Sequence, residues 1–241
     1  MRQIVAGAGK GKIGLRSVAP RGARHSVNRS DRMQLYKFAF AAMGSPCEIR
    51  LFAETAEQAQ AVFDSGRQEV ERLEQRYSRY RNDSLLSEIN RAASQGGRIE
   101  VDEETAGLLN YADTCYRQSD GLFDITSGIL RKAWRFDQGK LPERTLIESL
   151  LSRIGWDRVD WRKPELSFAP GMELDFGGIV KEYAADRVAT LCQNQGIRHG
   201  FINLGGDIRI IGPQPDGAPW NIGIQHPRRP DSLLAAVNLA W

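Results

Sequence analysis

The alternation of apolar and polar residues along the chain predicts strands and helices from residue 33 onward. Short apolar or alternating runs between turn residues are typical of strands. Two of these runs flank Ala169, Pro170 and Gly171 and are predicted to pair as a hairpin. The predicted strands cover residues 34–42, 47–52, 165–168, 172–176, 201–204, 208–211 and 221–225.

Apolar residues at helical spacing predict five helices. Thr55, with Gln58 three residues later, resembles a capping box and begins the first helix. Hairpins combined with a few helices indicate an α+β fold with mixed or antiparallel sheets, rather than a doubly wound sheet. The predicted helices run from Thr55 to about residue 75, over 85–92, from Asp102 to just before Asp120, from Pro142 to Gly155, and over 177–194.

Residues 1–32 have no sustained period and are predicted to be a disordered basic arm preceding one domain over 33–241. Three interpretations stay open: the segment precedes a true start at Met33, it is a basic tail, or it is a transit-like leader. The arm holds eight basic residues and one acid. The remainder has 25 basic and 29 acidic residues, a formal net charge of −4. A nucleic-acid-binding body is therefore not expected.

Composition narrows the class of protein further. A 41% share of hydrophobic residues is ordinary for a globular chain, and no apolar run approaches the ~18 residues of a membrane helix. Three cysteines without paired spacing argue against a disulfide framework or a zinc site. These features predict a cytoplasmic location.

The segment over 174–181 carries the sharpest candidate chemistry. A predicted strand ends at Asp175, two glycines follow, and a helix opens with Lys181 in or near its first turn. Free amides at a helix N-terminus bind anions, and glycines let a ligand approach closely. The alternative is an ordinary strand-to-helix turn with a surface lysine.

Four further segments combine glycines, acids or aromatic residues, and each has a structural alternative. Residues 203–207 could bind an anion or form a tight hairpin turn. Residues 120–128 could line a site or be a polar connection anchored by Phe123. Tyrosines in 77–84 could stack on a planar ligand or lie half in the core. Met43 lies in the break over 43–46 between two predicted strands, where a methionine usually fills a gap in the packing.

These five segments, in this order, resemble the ApbE family of FAD:protein FMN transferases, from about residue 37 to 225. The resemblance implies a magnesium-dependent transfer of FMN from FAD to a Thr or Ser hydroxyl of an acceptor flavoprotein, with release of AMP. The acceptor would be a redox-pump subunit or a flavin reductase. Two alternatives stay open: an FAD pyrophosphatase of the same fold, and a non-catalytic FAD-binding module.

The resemblance also implies site residues. Tyr80 would be the stacking ring, Lys181 would lie nearest the phosphates, and the carbonyl of Gly178 would bind magnesium. Family members usually carry glycine at the position of Glu182, and they continue beyond Trp241, so we expect the C-terminal part of the fold and of the metal site to be missing. The FAD-binding positions are Met43, Tyr80, Leu122, Phe123, Asp124, Asp175 and Lys181.

Overall fold

A computed structural model describes residues 33–134 and 141–239, so the predicted arm of 1–32 lies outside the described residues. It contains helices and antiparallel strands in the mixed order expected of an α+β fold, which confirms the predicted class. The strands are β1 (Gln34–Ala42), β2 (Ser45–Ala53), β3 (Arg98–Glu100), β4 (Asp160–Arg162), β5 (Glu165–Ser167), β6 (Gly200–Leu204), β7 (Asp207–Gly212), β8 (Trp220–His226) and β9 (Arg229–Leu239). The α-helices are α1 (Ala56–Tyr77), α2 (Leu85–Gln95), α3 (Glu103–Gln118), α4 (Arg144–Leu151) and α5 (Val180–Asn194).

Three helices begin at side-chain caps. Thr55 Oγ1 accepts a hydrogen bond from the Gln58 amide at 3.2 Å, as the capping-box pattern predicts. Ser84 and Asp102 cap α2 and α3 in the same way. These contacts satisfy amides that the first helical turn leaves without a partner.

The main sheet is antiparallel, with strand order β1-β2-β6-β7. Helices α1 and α5 contact its strands and each other, and the core lies at their interface. A methyl group added at Gly66 of α1 would lie 2.9 Å from Val188 Cγ1 of α5, so these two helices pack closely. Ile49 and Ile202, paired across β2 and β6, are fully buried.

The predicted hairpin around Ala169–Gly171 is wrong. β5 instead pairs with β3 and β4 in a separate three-stranded sheet, and residues 172–176 form no strand. Leu174 and Phe176 are nevertheless fully buried. A buried extended segment has the same apolar pattern as a strand, and the pattern does not reveal which group satisfies its backbone.

The last two strands form a separate ribbon. β8 pairs only with β9 among the described strands, and the register shifts near Gln225. Trp220 anchors the ribbon to the main sheet: its ring lies 5.0 Å from that of Phe201, and its indole N–H donates to the Gly212 carbonyl at 2.9 Å.

Candidate functional site

The β1–β2 turn places Met43 at the edge of a cleft. Met43 and Gly44 both have positive φ, 51° and 68°, as a two-residue hairpin turn with the right twist requires. The Met43 amide donates to Glu74 Oε1 of α1 at 2.8 Å. This bond holds a residue other than glycine in a left-handed conformation, beside the end of α1.

The C-terminal end of α1 supplies an aromatic ring and a cation. Helix α1 ends at Tyr77, and the carbonyl of the following Ser78 accepts a hydrogen bond from Ser84 Oγ at 2.6 Å. Tyr80 follows, and 82% of its surface is exposed. The guanidinium of Arg79 lies 5.4 Å from the centre of the Tyr80 ring. The ring therefore makes a cation–π contact with Arg79, and most of its surface remains accessible to a ligand.

The extended segment that leads into α5 is held by a side chain. Asn90 of α2 accepts a hydrogen bond from the Leu174 amide at 2.7 Å and donates to the Leu174 carbonyl at 3.0 Å. The amide of Asp175 donates to the carbonyl of Ile125 at 2.8 Å. Asn90 thus takes the place of a neighbouring strand for Leu174.

Asp175 joins this segment to the end of α1. Its Oδ2 accepts from Arg79 Nη1 at 2.5 Å, and its Oδ1 accepts from the Gly177 amide at 2.9 Å. Helix α5 begins at Val180 rather than at the predicted residue 177, because 177–179 form a turn. The glycine pair is therefore in the turn, and Lys181 is in the first helical turn.

Lys181 lies between the ends of two hairpins. Its Nζ donates to Ser45 Oγ at 2.9 Å, and a Cβ added at Gly205 in the β6–β7 turn would lie 3.6 Å from the same nitrogen. The two turns are adjacent because β2 and β6 are neighbours in the sheet. Burial raises the pKa of the nearby Cys47 thiol more than the Lys181 charge lowers it.

These elements surround a cleft of about 470 Å³. It has one open aromatic ring, two cations and two carboxylates, with apolar walls between them. Such a cleft suits a planar ring joined to an anionic group, because the ring can stack and the anion can pair with a cation. It is lined by Met43, Gly44, Leu73, Glu74, Tyr77, Ser78, Arg79, Tyr80, Asp175, Gly177, Val180 and Lys181.

Four of the seven predicted FAD-binding residues line this cleft; the other three lie in an adjoining turn. Leu122 is 91% exposed, and Phe123 contacts the backbone position of Gly178. Asp124 begins a 3-10 helix (Ile125–Lys132): its Oδ1 accepts from the Thr126 amide at 2.7 Å and its Oδ2 from the Trp156 amide at 3.0 Å. Asp124 thus has a structural role in this arrangement.

Sequence reasoning gave no role to Arg79, Glu74 or Ser45, although all three contact predicted site residues. A signal was present for Arg79, because it precedes Tyr80 directly at a predicted helix end. Glu74 gave no such signal, because a glutamate near a helix end is ordinary surface composition.

Gly178, whose carbonyl is predicted to bind magnesium, lies in the turn that precedes α5. The turn of Gly177 and Gly178 lies beside Asp175, but that carboxylate is already engaged by Arg79 and Gly177. Among residues 33–134 and 141–239, no group of three or more His, Cys, Asp or Glu side chains is placed to hold a metal ion. Magnesium requires near-octahedral oxygen coordination, so the described residues do not form a complete site for it.

Comparisons with known proteins agree on one family. The model of the ApbE family matches residues 43–240. The chain is 30% identical over 199 residues to the FAD:protein FMN transferase of Klebsiella pneumoniae, covering 80% of this chain and 60% of that protein. It is 26% identical to the enzyme of the same name from Treponema pallidum, covering 81% and 59%. The chain therefore spans about three fifths of the length of these relatives.

Solved structures show the same fold. The ApbE protein of Thermotoga maritima superposes with a TM-score of 0.78 at 28% identity, covering 86% of this chain and 68% of that one. The apo flavinyl transferase ApbE of Pseudomonas stutzeri superposes with a TM-score of 0.73 at 22% identity, covering 87% and 69%.

Proposed function

The chain belongs to the ApbE family, and we propose on that basis that it acts in transferring FMN from FAD to a hydroxyl group of an acceptor protein. The curated relatives carry the name of this activity. We also propose that residues 33–241 form one domain and that all seven predicted residues bind FAD, including the three outside the cleft.

One observation carries the proposal: Tyr80 and Lys181 line the same cleft. The exposed Tyr80 ring can stack on the isoalloxazine ring, and the ammonium of Lys181 can pair with the diphosphate. The Arg79–Asp175 pair lies between the parts of the site contributed by α1 and α5. FAD carries both a planar ring and a diphosphate, so it matches the chemistry of this cleft.

The proposed transfer is a displacement at phosphorus. The acceptor oxygen forms a bond to the phosphorus of the FMN half, and the bond from that phosphorus to the bridging oxygen breaks. AMP leaves with the bridging oxygen, and the hydroxyl proton passes to AMP or to solvent. Lys181 would neutralise charge on the diphosphate, which lowers the barrier for an anionic group.

Magnesium, the acceptor class and the location remain part of the proposal. The carbonyl of Gly178 is the proposed contribution of this chain to a magnesium site, which the described residues do not complete. A redox-pump subunit or flavin reductase is the proposed acceptor. The cysteine usage supports a cytoplasmic location. None of the helices within residues 33–134 and 141–239 combines the length and the apolar composition of a membrane span.

Intact-mass spectrometry tests the proposal. The chain is incubated with FAD, Mg²⁺ and a peptide that carries a threonine in an Asp-Gly-Ala-Thr context. We expect the peptide to gain the mass of one FMN, and we expect this gain to disappear without Mg²⁺. Release of AMP without a mass gain would indicate an FAD pyrophosphatase instead. Neither product, with FAD still bound, would indicate a binding module.

A matched pair of variants links the result to the cleft. Tyr80→Ala removes the proposed stacking ring, whereas Tyr111→Ala removes an exposed tyrosine of α3 outside the cleft. Stacking on an aromatic ring contributes roughly 0.5–1.5 kcal/mol, so FAD binding should weaken by about twofold to tenfold in the first variant alone. Equal affinities in the two variants would place the flavin elsewhere.

A further inference from the structure

A second cavity opens beside the cleft, and its lining is strongly basic. It has a volume of about 610 Å³ and shares Arg79 with the cleft. Five cations and one carboxylate supply its charged lining, so the cavity attracts anions. We call it the basic groove, and its charged residues are Arg79, Arg91, Arg131, Lys132, Arg153 and Glu173.

One buried carboxylate holds two of the cations in place. Only 6% of Glu173 is exposed, and its Oε1 accepts from Arg131 Nε at 2.5 Å. Its Oε2 lies 3.3 Å from Lys132 Nζ. Two cations offset the cost of burying this single carboxylate and leave a net positive charge at the wall of the groove.

Two other arginines bring charge that the described residues do not neutralise. Arg91 and Arg153 are exposed, and within residues 33–134 and 141–239 neither forms an ion pair. Arg91 Nη1 donates to the Asn82 carbonyl at 2.9 Å, which orients the guanidinium. The side chain of Arg153 lies against Gly171. Their remaining N–H groups suit carboxylates, which arginine binds through two parallel hydrogen bonds.

We propose that the basic groove binds an acidic segment of the acceptor protein and so orients the acceptor hydroxyl toward the cleft. This inference rests on the proposed function. Arg79 lies at the boundary of the two cavities, so a segment in the groove would end next to the bound flavin. The chain from Met33 onward has a net charge of −4, so an acidic partner is repelled by most of the surface and attracted here.

Binding measurements separate the groove from catalysis. Calorimetry on the full chain would compare a peptide in which Asp and Glu flank a threonine with its counterpart bearing Asn and Gln. The test variant combines Arg91→Gln and Arg153→Gln. The matched control combines Arg117→Gln and Arg162→Gln, which remove equal charge from exposed positions outside both cavities. FAD affinity is measured for each protein in parallel.

We expect the acidic peptide to bind more tightly than the amide peptide, and less tightly as salt increases. The test variant should lose at least about tenfold in affinity for the acidic peptide, while the control retains it and FAD affinity stays constant throughout. Equal binding of the two peptides, or equal losses in the two variants, would overturn the proposal. A loss of FAD affinity in the test variant would assign the groove to the phosphates of FAD instead. Failure of the unaltered chain to bind FAD would refute the proposed function, while selective peptide binding would still establish the anion site.

Discussion

Lys181 Nζ donates a hydrogen bond to Ser45 Oγ at 2.9 Å across 136 positions of sequence. The contact joins the first turn of α5 to the start of β2. It directs the ammonium toward the two adjacent hairpin turns, so the cation is oriented before a ligand arrives. A cation held in this way loses less side-chain entropy when an anion binds.

Replacing Lys181 should weaken FAD binding more than it affects folding. A hydrogen bond to a charged group contributes about 1.5–3 kcal/mol, so Lys181→Met should reduce FAD affinity by roughly tenfold to a hundredfold. Quenching of flavin fluorescence measures this change. Ser45→Ala leaves the charge in place and should have a smaller effect. If the two variants bind FAD as tightly as the unaltered chain, the diphosphate does not lie at Lys181.

Asn90 should be important for stability. Asn90→Ala leaves the amide and the carbonyl of the fully buried Leu174 without their partner. Each unsatisfied buried group costs about 1–3 kcal/mol, so the free energy of unfolding should fall by ~2–6 kcal/mol. Urea unfolding measures this change. Asn82→Ala, at an exposed position nearby, should change it little, and an equally small loss in Asn90→Ala would mean that other groups hold the segment.

Two glycine-to-alanine substitutions should change the free energy of unfolding in opposite directions. A methyl group at Gly128 would lie 2.7 Å from Asp175 Cβ and 3.2 Å from its amide nitrogen, so Gly128→Ala should push Asp175 away. We expect a loss of about 1–3 kcal/mol in stability, together with weaker FAD binding.

The control for this change is Gly107→Ala. Nothing lies within 4 Å of a methyl group at Gly107, in α3, and alanine has the higher helix propensity, so this variant should gain about 0.5–1 kcal/mol. Thermal unfolding compares the two. A stable Gly128→Ala protein with normal FAD affinity would show that the 3-10 helix can move without disturbing the site.

Stability should depend on pH through Arg72. Its Nε lies 2.8 Å from Glu69 Oε2, and its Nη2 lies 2.6 Å from Glu104 Oε1. These hydrogen bonds lower the pKa of both carboxyls below the ordinary value of 4.5. The stabilisation is therefore present above that ordinary value and is lost as pH falls through the lowered values.

Arg72→Gln should accordingly cost about 1 kcal/mol at neutral pH and less near pH ~3, because acid removes the same interactions. Urea unfolding at the two pH values measures the difference. The control is Arg67→Gln, which removes only an exposed pair with Glu71 within α1 and should have a smaller effect at neutral pH. A penalty for Arg72→Gln that is the same at both pH values would show that the arginine acts through packing alone.

Local signals in the sequence were sufficient to locate most of the helices and strands. Helical spacing with a cap such as Thr55 or Asp102 located α1 and α3, because capping and amphipathic patterning act within a few residues. The α+β class also followed, since it depends on the kinds of element present. The hairpin predicted over 165–176 was wrong, because the partner of the Leu174 backbone is a side chain in α2.

The motifs also indicated that Met43, Tyr80, Asp175 and Lys181 belong to a site, through their resemblance to a family rather than through spacing alone. That these four line one cleft was decided by tertiary structure. So were the Arg79–Asp175 pair and the arrangement of arginines in the basic groove. Element type depends on near neighbours, which the sequence displays directly. Contacts between residues about a hundred positions apart depend on how helices pack on sheets, and one sequence contains no local signal for that packing.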